Sequence, residues 1–138
     1  MKTRLFDASA IIILAKNHPD KAPSVIEGEF LLDLTSYEIG NALWKISKLI
    51  DKTNKSTALE TINQASSLIA QMEELKVDSE DLVSVMDVAF ESSLSFYDSS
   101  YLHVARSKGL TLLTEDTALL RGASKNGVQC LRIKDITS

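Results

Sequence analysis

Cysteine is nearly missing from this sequence: Cys130 stands alone in 138 residues. A single cysteine excludes an internal disulfide and a cysteine-based zinc cage, and such a chain suits a reducing cytoplasm. Proline is almost as scarce. Pro19 and Pro23 lie close together, so His18 to Gly28 reads as one break with a short helical piece, and no domain boundary is visible. No apolar run approaches the ~20 residues needed to span a membrane; the longest near the start, Ala8 to Ala15, follows an aspartate. Met1-Lys2-Thr3-Arg4 carries two basic residues, but no small-residue cleavage site follows, which argues against a signal peptide. Positive charge is also short, with 15 Lys and Arg against 19 Asp and Glu and a net charge of −4. That excludes a protein that coats nucleic acid by bulk charge. It leaves open an enzyme that gathers its carboxylates in one pocket and keeps its cations on the rim.

What is present is the composition of an ordinary globule, 44% hydrophobic and 25% charged. The length fits one domain over residues 1–138 with a sizeable core. Thr3 to Phe6 reads as a short strand ending at Asp7, and Ser9 to Lys16 as a helix. "FLLDL", Phe30 to Leu34, is a buried-strand pattern interrupted by Asp33. A helix then runs from Thr35 to about Ile50. Leu59, Ile62, Ala65, Leu68, Ile69, Met72 and Leu75 form one apolar stripe, which predicts a helix over Thr57 to Leu75. Lys76-Val77 is a candidate for a very short strand. Ser79-Glu80-Asp81 starts a helix that runs to about Leu94. Asp98 to Lys108 is another helix, stopped by Gly109. Leu110 to Leu113 is a strand, Thr117 to Lys125 a helix, and Val128 to Ile133 a last strand. Strands alternating with helices predict an α/β fold, a three-layer α/β/α sandwich with a short central parallel sheet of four to five strands.

Ligands of open α/β sheets bind beyond the carboxyl ends of the strands, and acids collect there. Asp7 follows the first strand, Glu38 lies in the first turn after the second, and Asp116 follows the Leu110–Leu113 strand. Asp98 joins them if its helix starts at the same edge. Each has a structural explanation. Thr35-x-x-Glu38 and Ser95-x-x-Asp98 have the form of capping boxes, and Asp7 and Asp116 suit helix N-caps. Independent caps need not converge, however, whereas these elements bring their acids to one edge. Crowded carboxylates repel, and they raise their pKa values or take up cations. Hard cations with oxygen ligands, Mg²⁺ or Mn²⁺, are the natural choice, and the chemistry this suggests is phosphodiester hydrolysis.

With "LFDAS", "TSYEIGNAL", "SFYDSSYLHVA" and "LLTEDTAL" in this order, the sequence resembles a PIN domain, and more narrowly a VapC-type toxin of a toxin–antitoxin pair. The resemblance covers nearly the whole chain. It implies Asp7, Glu38, Asp98 and Asp116 as catalytic and metal-binding acids, with Ser9 and Thr114 as supporting hydroxyls. It further implies a Mg²⁺- or Mn²⁺-dependent ribonuclease that cleaves RNA with a metal-activated water. Such proteins are cytoplasmic, usually homodimeric, and held inactive by a cognate antitoxin. Glu115, beside Asp116, is either an extra ligand or merely exposed. Read from its position alone, Asn41, three residues after Glu38 on the same helix face, is either a hydrogen-bonding support to the site or a partly buried polar residue.

Other residues read more blandly. His103 lies about 140° round a helix from Asp98, and His18 falls in a loop. Tyr37 and Trp44 suit core or dimer surface, and Cys130 a small core residue. Lys45, Lys48, Arg106, Lys108, Arg121 and Lys125 suit either an RNA path or solvated helix faces. The main alternative is a catalytically inactive PIN fold that serves as an interaction or regulatory module. A phosphoacceptor receiver domain wants adjacent acids after the first strand and a lysine after a late one, and "LFDASA" and "LLTED" offer neither. A phosphatase with a D-x-D nucleophile fails because position 9 is Ser9.

Overall fold

A computed structural model describes residues 3–50 and 55–137, with Ile50 described by its backbone alone. Met1 and Lys2 lie outside the described residues. Five strands make one parallel sheet: β1 Arg4–Phe6, β2 Phe30–Leu32, β3 Glu73–Leu75, β4 Thr111–Leu113 and β5 Cys130–Leu131, in the order β3-β2-β1-β4-β5. The helices are α1 Ala8–Asn17, α2 Ala22–Ile26, α3 Thr35–Lys45, α4 Lys55–Ile69, α5 Leu82–Ser92, α6 Phe96–Lys108, α7 Thr117–Lys125 and α8 Lys134–Thr137. A wider, π-type turn extends α3 over Ile46–Ile50, and a 3₁₀ turn over Ser79–Asp81 precedes α5.

The strands are short apolar runs because both faces of the sheet are covered. Successive side chains point to opposite faces. Leu5, Leu32 and Leu112 therefore enter one core with Leu102, Leu119 and Ala123, while Phe6, Leu31 and Leu113 enter the other with Ile11, Leu14 and Ile39. All six strand residues are at most 1% exposed. Burial of each leucine contributes about 1.5–3 kcal/mol, so these three-residue strands are held by packing more than by propensity.

Several boundaries differ from those read in the sequence. The strand expected at Lys76-Val77 is Glu73–Leu75, and the helix expected to reach Leu75 ends at Ile69. Met72 and Leu75 still pack against the two cores, but from a turn and a strand. The last strand shrinks to Cys130–Leu131, and α8 follows it. Asp33 lies past the end of β2, where it is exposed and its N–H donates to the Leu75 carbonyl, 3.0 Å. No helix among the described residues is long and apolar enough to cross a membrane.

Candidate active site at the carboxyl edge of the sheet

Asp7 leaves β1 and caps α1, its Oδ1 accepting from the Ala10 N–H at 2.9 Å. The same oxygen accepts from Ser9 Oγ at 2.7 Å, and Oδ2 accepts from the Thr114 hydroxyl. Both hydroxyls are themselves held. Ser9 Oγ accepts from the Glu115 N–H at 2.9 Å, and Thr114 Oγ1 from the Asp116 N–H at 3.1 Å. The loops after β1 and β4, adjacent strands, are thus laced around one carboxylate. Asp7 is 6% exposed. Burial pushes its carboxyl up to about 6, against the pull of the Thr114, Ser9 and Ala10 hydrogen bonds; the charge of Asp98 adds to the rise.

Glu38 stands in the first turn of α3. The capping box expected with Thr35 does not form, because the α3 N-cap is Leu34 and the Thr35 hydroxyl is used elsewhere. Thr35 Oγ1 accepts from the Leu32 N–H at 3.1 Å and meets the Tyr101 hydroxyl at 2.7 Å, and Tyr101 in turn donates to Glu38 Oε1 at 2.6 Å. Burial holds the Glu38 carboxyl above its ordinary range; the Tyr101 hydrogen bond opposes this, and the charges of Asp7 and Asp98 reinforce it. Tyr101 is a site residue that the sequence reading missed. Its only signal was position, three residues after Asp98 and so on the same side of α6.

Asp98 does lie at the same edge. α6 begins at Phe96, and its N-cap Ser95 accepts from the Asp98 N–H at 3.1 Å. The Asp98 carboxyl is raised by burial first and by the charge of Asp116 next. Asp116 caps α7, its Oδ1 accepting from Ala118 at 2.8 Å and Leu119 at 3.3 Å. Capping and membership of the acidic group coexist here. Each of the four acids is within reach of the charge of at least one other.

Two of the expected supporting residues stand apart. The Glu115 carboxylate accepts from the Ile133 N–H at 2.9 Å and pairs with Arg132 at 3.8 Å, which ties it to the segment after β5 instead of the acids. Asn41 is exposed and makes no side-chain hydrogen bond among the described residues. His103 points to Asp81, 3.2 Å away. Tyr37 is 82% exposed and Trp44 55%, so neither is core, and Trp44 lines an apolar groove with Leu59 and Ile62 between α3 and α4. Lys45, Arg106, Lys108 and Lys125 all lie in the last turns of helices that start at the acidic edge. Lys108 is roughly 15 Å along α6 from Asp98 at 1.5 Å per residue, at the wrong end to line a path across the acids.

Among the described residues, no three His, Cys, Asp or Glu side chains form a ready-made metal cage. The donor set nevertheless suits a hard divalent cation. It offers only carboxylates and hydroxyls, and Mg²⁺ commonly keeps several waters and takes one or two carboxylates directly.

The fold is thus a parallel sheet flanked by helices, with four acids on the segments that follow its strands or open its helices. No family model matches the chain. It is 40% identical over 116 residues to a protein named Exonuclease VapC9 from Pyrobaculum aerophilum, an alignment that covers 84% of this chain and 82% of the relative. It is 31% identical over 124 residues to Ribonuclease VapC3 of the same organism, covering 82% of this chain and 88% of the relative. The crystal structure of PAE2754 from Pyrobaculum aerophilum superposes with a TM-score of 0.80 at 33% identity, over 98% of this chain and 86% of that one. The chain belongs to the VapC family of PIN-domain proteins.

Proposed function

We propose that this chain is a Mg²⁺- or Mn²⁺-dependent ribonuclease and the toxin of a toxin–antitoxin pair. In this reading it forms a single PIN-like domain that acts in the cytoplasm as a homodimer and is held in check by a cognate antitoxin. The relatives' names support a nuclease of such a system. The observation that carries the reading is the convergence of Asp7, Glu38, Asp98 and Asp116, whose charges act on one another at one edge. Carboxylates raised by burial and repulsion, as those of Asp7, Glu38 and Asp98 are, have a strong reason to bind a cation.

Asp7, Glu38, Asp98 and Asp116 are the residues that would hold the ion. When bound, a divalent cation supplies Lewis acidity toward a phosphoryl oxygen and a nucleophile at neutral pH. Ser9 and Thr114 hold both Asp7 oxygens in place. The backbone caps at α6 and α7 keep Asp98 and Asp116 at the ends of their helices. No histidine pair stands ready to deprotonate a ribose 2′-hydroxyl, since His103 is paired with Asp81 and His18 ends α1. Water is therefore the attacking group, and cleavage leaves a 5′-phosphate and a 3′-hydroxyl.

End-group analysis of a single-stranded RNA digest tests this. The expected result is 5′-phosphate ends, lost in EDTA and restored by Mn²⁺ or Mg²⁺. Cyclic 2′,3′-phosphates formed equally well in EDTA would remove the carboxylates from the chemistry. One relative is named an exonuclease and the other a ribonuclease, and a circular RNA separates internal from terminal attack. We propose internal cleavage, so the circle should be opened.

A further inference from the structure

Tyr101 is 1% exposed, yet its hydroxyl is fully occupied. The direction of its hydrogen bonds is forced. The Glu38 carboxylate can only accept, so Tyr101 spends its one proton on Oε1 at 2.6 Å. Thr35 Oγ1, which accepts from the Leu32 N–H at 3.1 Å, must then donate its own proton to Tyr101, 2.7 Å away. This one-way relay starts on the backbone of β2 and ends on a carboxylate of the acidic pocket, and hydrogen bonds in series polarise one another.

Position adds to this. Thr35 precedes Glu38 by three residues on α3, and Tyr101 follows Asp98 by three on α6. Each pair shares a helix face, so the relay braces the two helices that carry two of the four acids. Among the described residues, only one oxygen of Glu38 is used, and Oε2 has no hydrogen bond.

On the reading of the pocket given above, we propose that Tyr101 is a positioning residue: with Thr35 it pins one oxygen of Glu38 and so keeps the other available to a divalent cation. A phenol in this place is more than core filling. Phenylalanine would fill nearly the same volume but could not fix the orientation of the carboxylate, which a hydrogen bond to a charged group does.

The test is Mn²⁺ binding by calorimetry, with melting temperature read in parallel. Tyr101→Phe removes a single oxygen. It should weaken Mn²⁺ binding about 10- to 100-fold, the range seen when a partner of a ligating carboxylate or histidine is lost, while the protein stays folded. Thr35→Ala should show a smaller loss in the same direction and Thr35→Ser should restore it, which keeps the test open if Tyr101→Phe does not fold. In a Glu38→Ala background, Tyr101→Phe should make no further difference to affinity. Wild-type affinity in Tyr101→Phe, or an equal loss with and without Glu38, would sink the relay and leave the metal reading standing. A wild-type protein that binds no Mn²⁺ would sink both.

Discussion

Asp98 shows how one residue serves two ends. Its backbone N–H is bound by the Ser95 cap, while its carboxylate faces the charge of Asp116. Asp98→Asn leaves the cap intact and removes the charge, so the fold should survive. Losing a partner of a ligand commonly costs 10- to 100-fold, so losing this proposed ligand should lower cleavage by more than about 100-fold and weaken Mn²⁺ binding in parallel. Wild-type turnover would reduce Asp98 to a helix cap. Asp7 makes a pH prediction. Its carboxyl rises from 3.8 to about 6 on folding, so between these values the folded state binds more protons than the unfolded one. Stability from this group is therefore present below pH 3.8 and lost as pH rises to about 6. At 1.36 kcal/mol per unit the loss is about 3 kcal/mol. In EDTA, wild type should lose stability relative to Asp7→Asn across that window, and a constant difference would contradict the shift. At this scale the sequence was readable where chemistry tracks position. Asp7, Ser9 and Thr114 fall on the ends of adjacent strands and meet there. It was unreadable where neighbours compete. Nothing in "TED" says that Glu115 turns to Arg132 and Ile133 while its neighbour caps α7 within reach of Asp98's charge. Tyr101 drew no reading of its own because its partner, Glu38, is 63 residues away.

Among the elements, α6 ends where its glycine says it should, although it begins two residues earlier than the expected Asp98, and its end carries a testable cost. Gly109 caps it at φ 67°, with its N–H donating to the Ala105 carbonyl. A Cβ there would meet nothing within 4 Å, so only the left-handed backbone resists a side chain. Gly109→Ala should cost about 1 kcal/mol and leave cleavage per folded molecule unchanged, since the cap lies at the end of α6 remote from Asp98. A denaturant titration beside an activity assay checks both halves. β3 was misplaced for a physical reason. "EEL" has no strand-like apolar alternation, and it is a strand because β2 supplies the pairing, with Phe30 opposite Glu73 and Leu32 opposite Leu75. The apolar stripe of α4 also ran on in register through Met72 and Leu75, so periodicity alone could not show where the helix stopped. Edge strands answer to their neighbours more than to their own residues.

For the whole molecule, metal and fold are expected to be linked. With the acids' repulsion removed by an ion, Mn²⁺ at about a hundred times its Kd should add about 2.7 kcal/mol, on the order of 10 °C in Tm for a chain of this size. EDTA should reverse it. No shift with Mn²⁺, Mg²⁺ or Ca²⁺ would count heavily against a shared cation site. The α/β architecture was legible because helices and apolar strands alternate, and a sheet covered on both faces needs such runs. Strand order was not legible, because β1 at the centre pairs with β4 through partners more than a hundred residues apart, Arg4 with Thr111 among them.

That separation has a consequence in time. Asp7 is held by Thr114, 107 residues later. At 5–20 residues per second, a ribosome needs roughly 5–20 s to cover that gap. Throughout that interval the nascent chain carries Asp7 and lacks the loop that completes its surroundings. On the reading proposed for these acids, a fragment that ends before Thr114 should not cleave RNA.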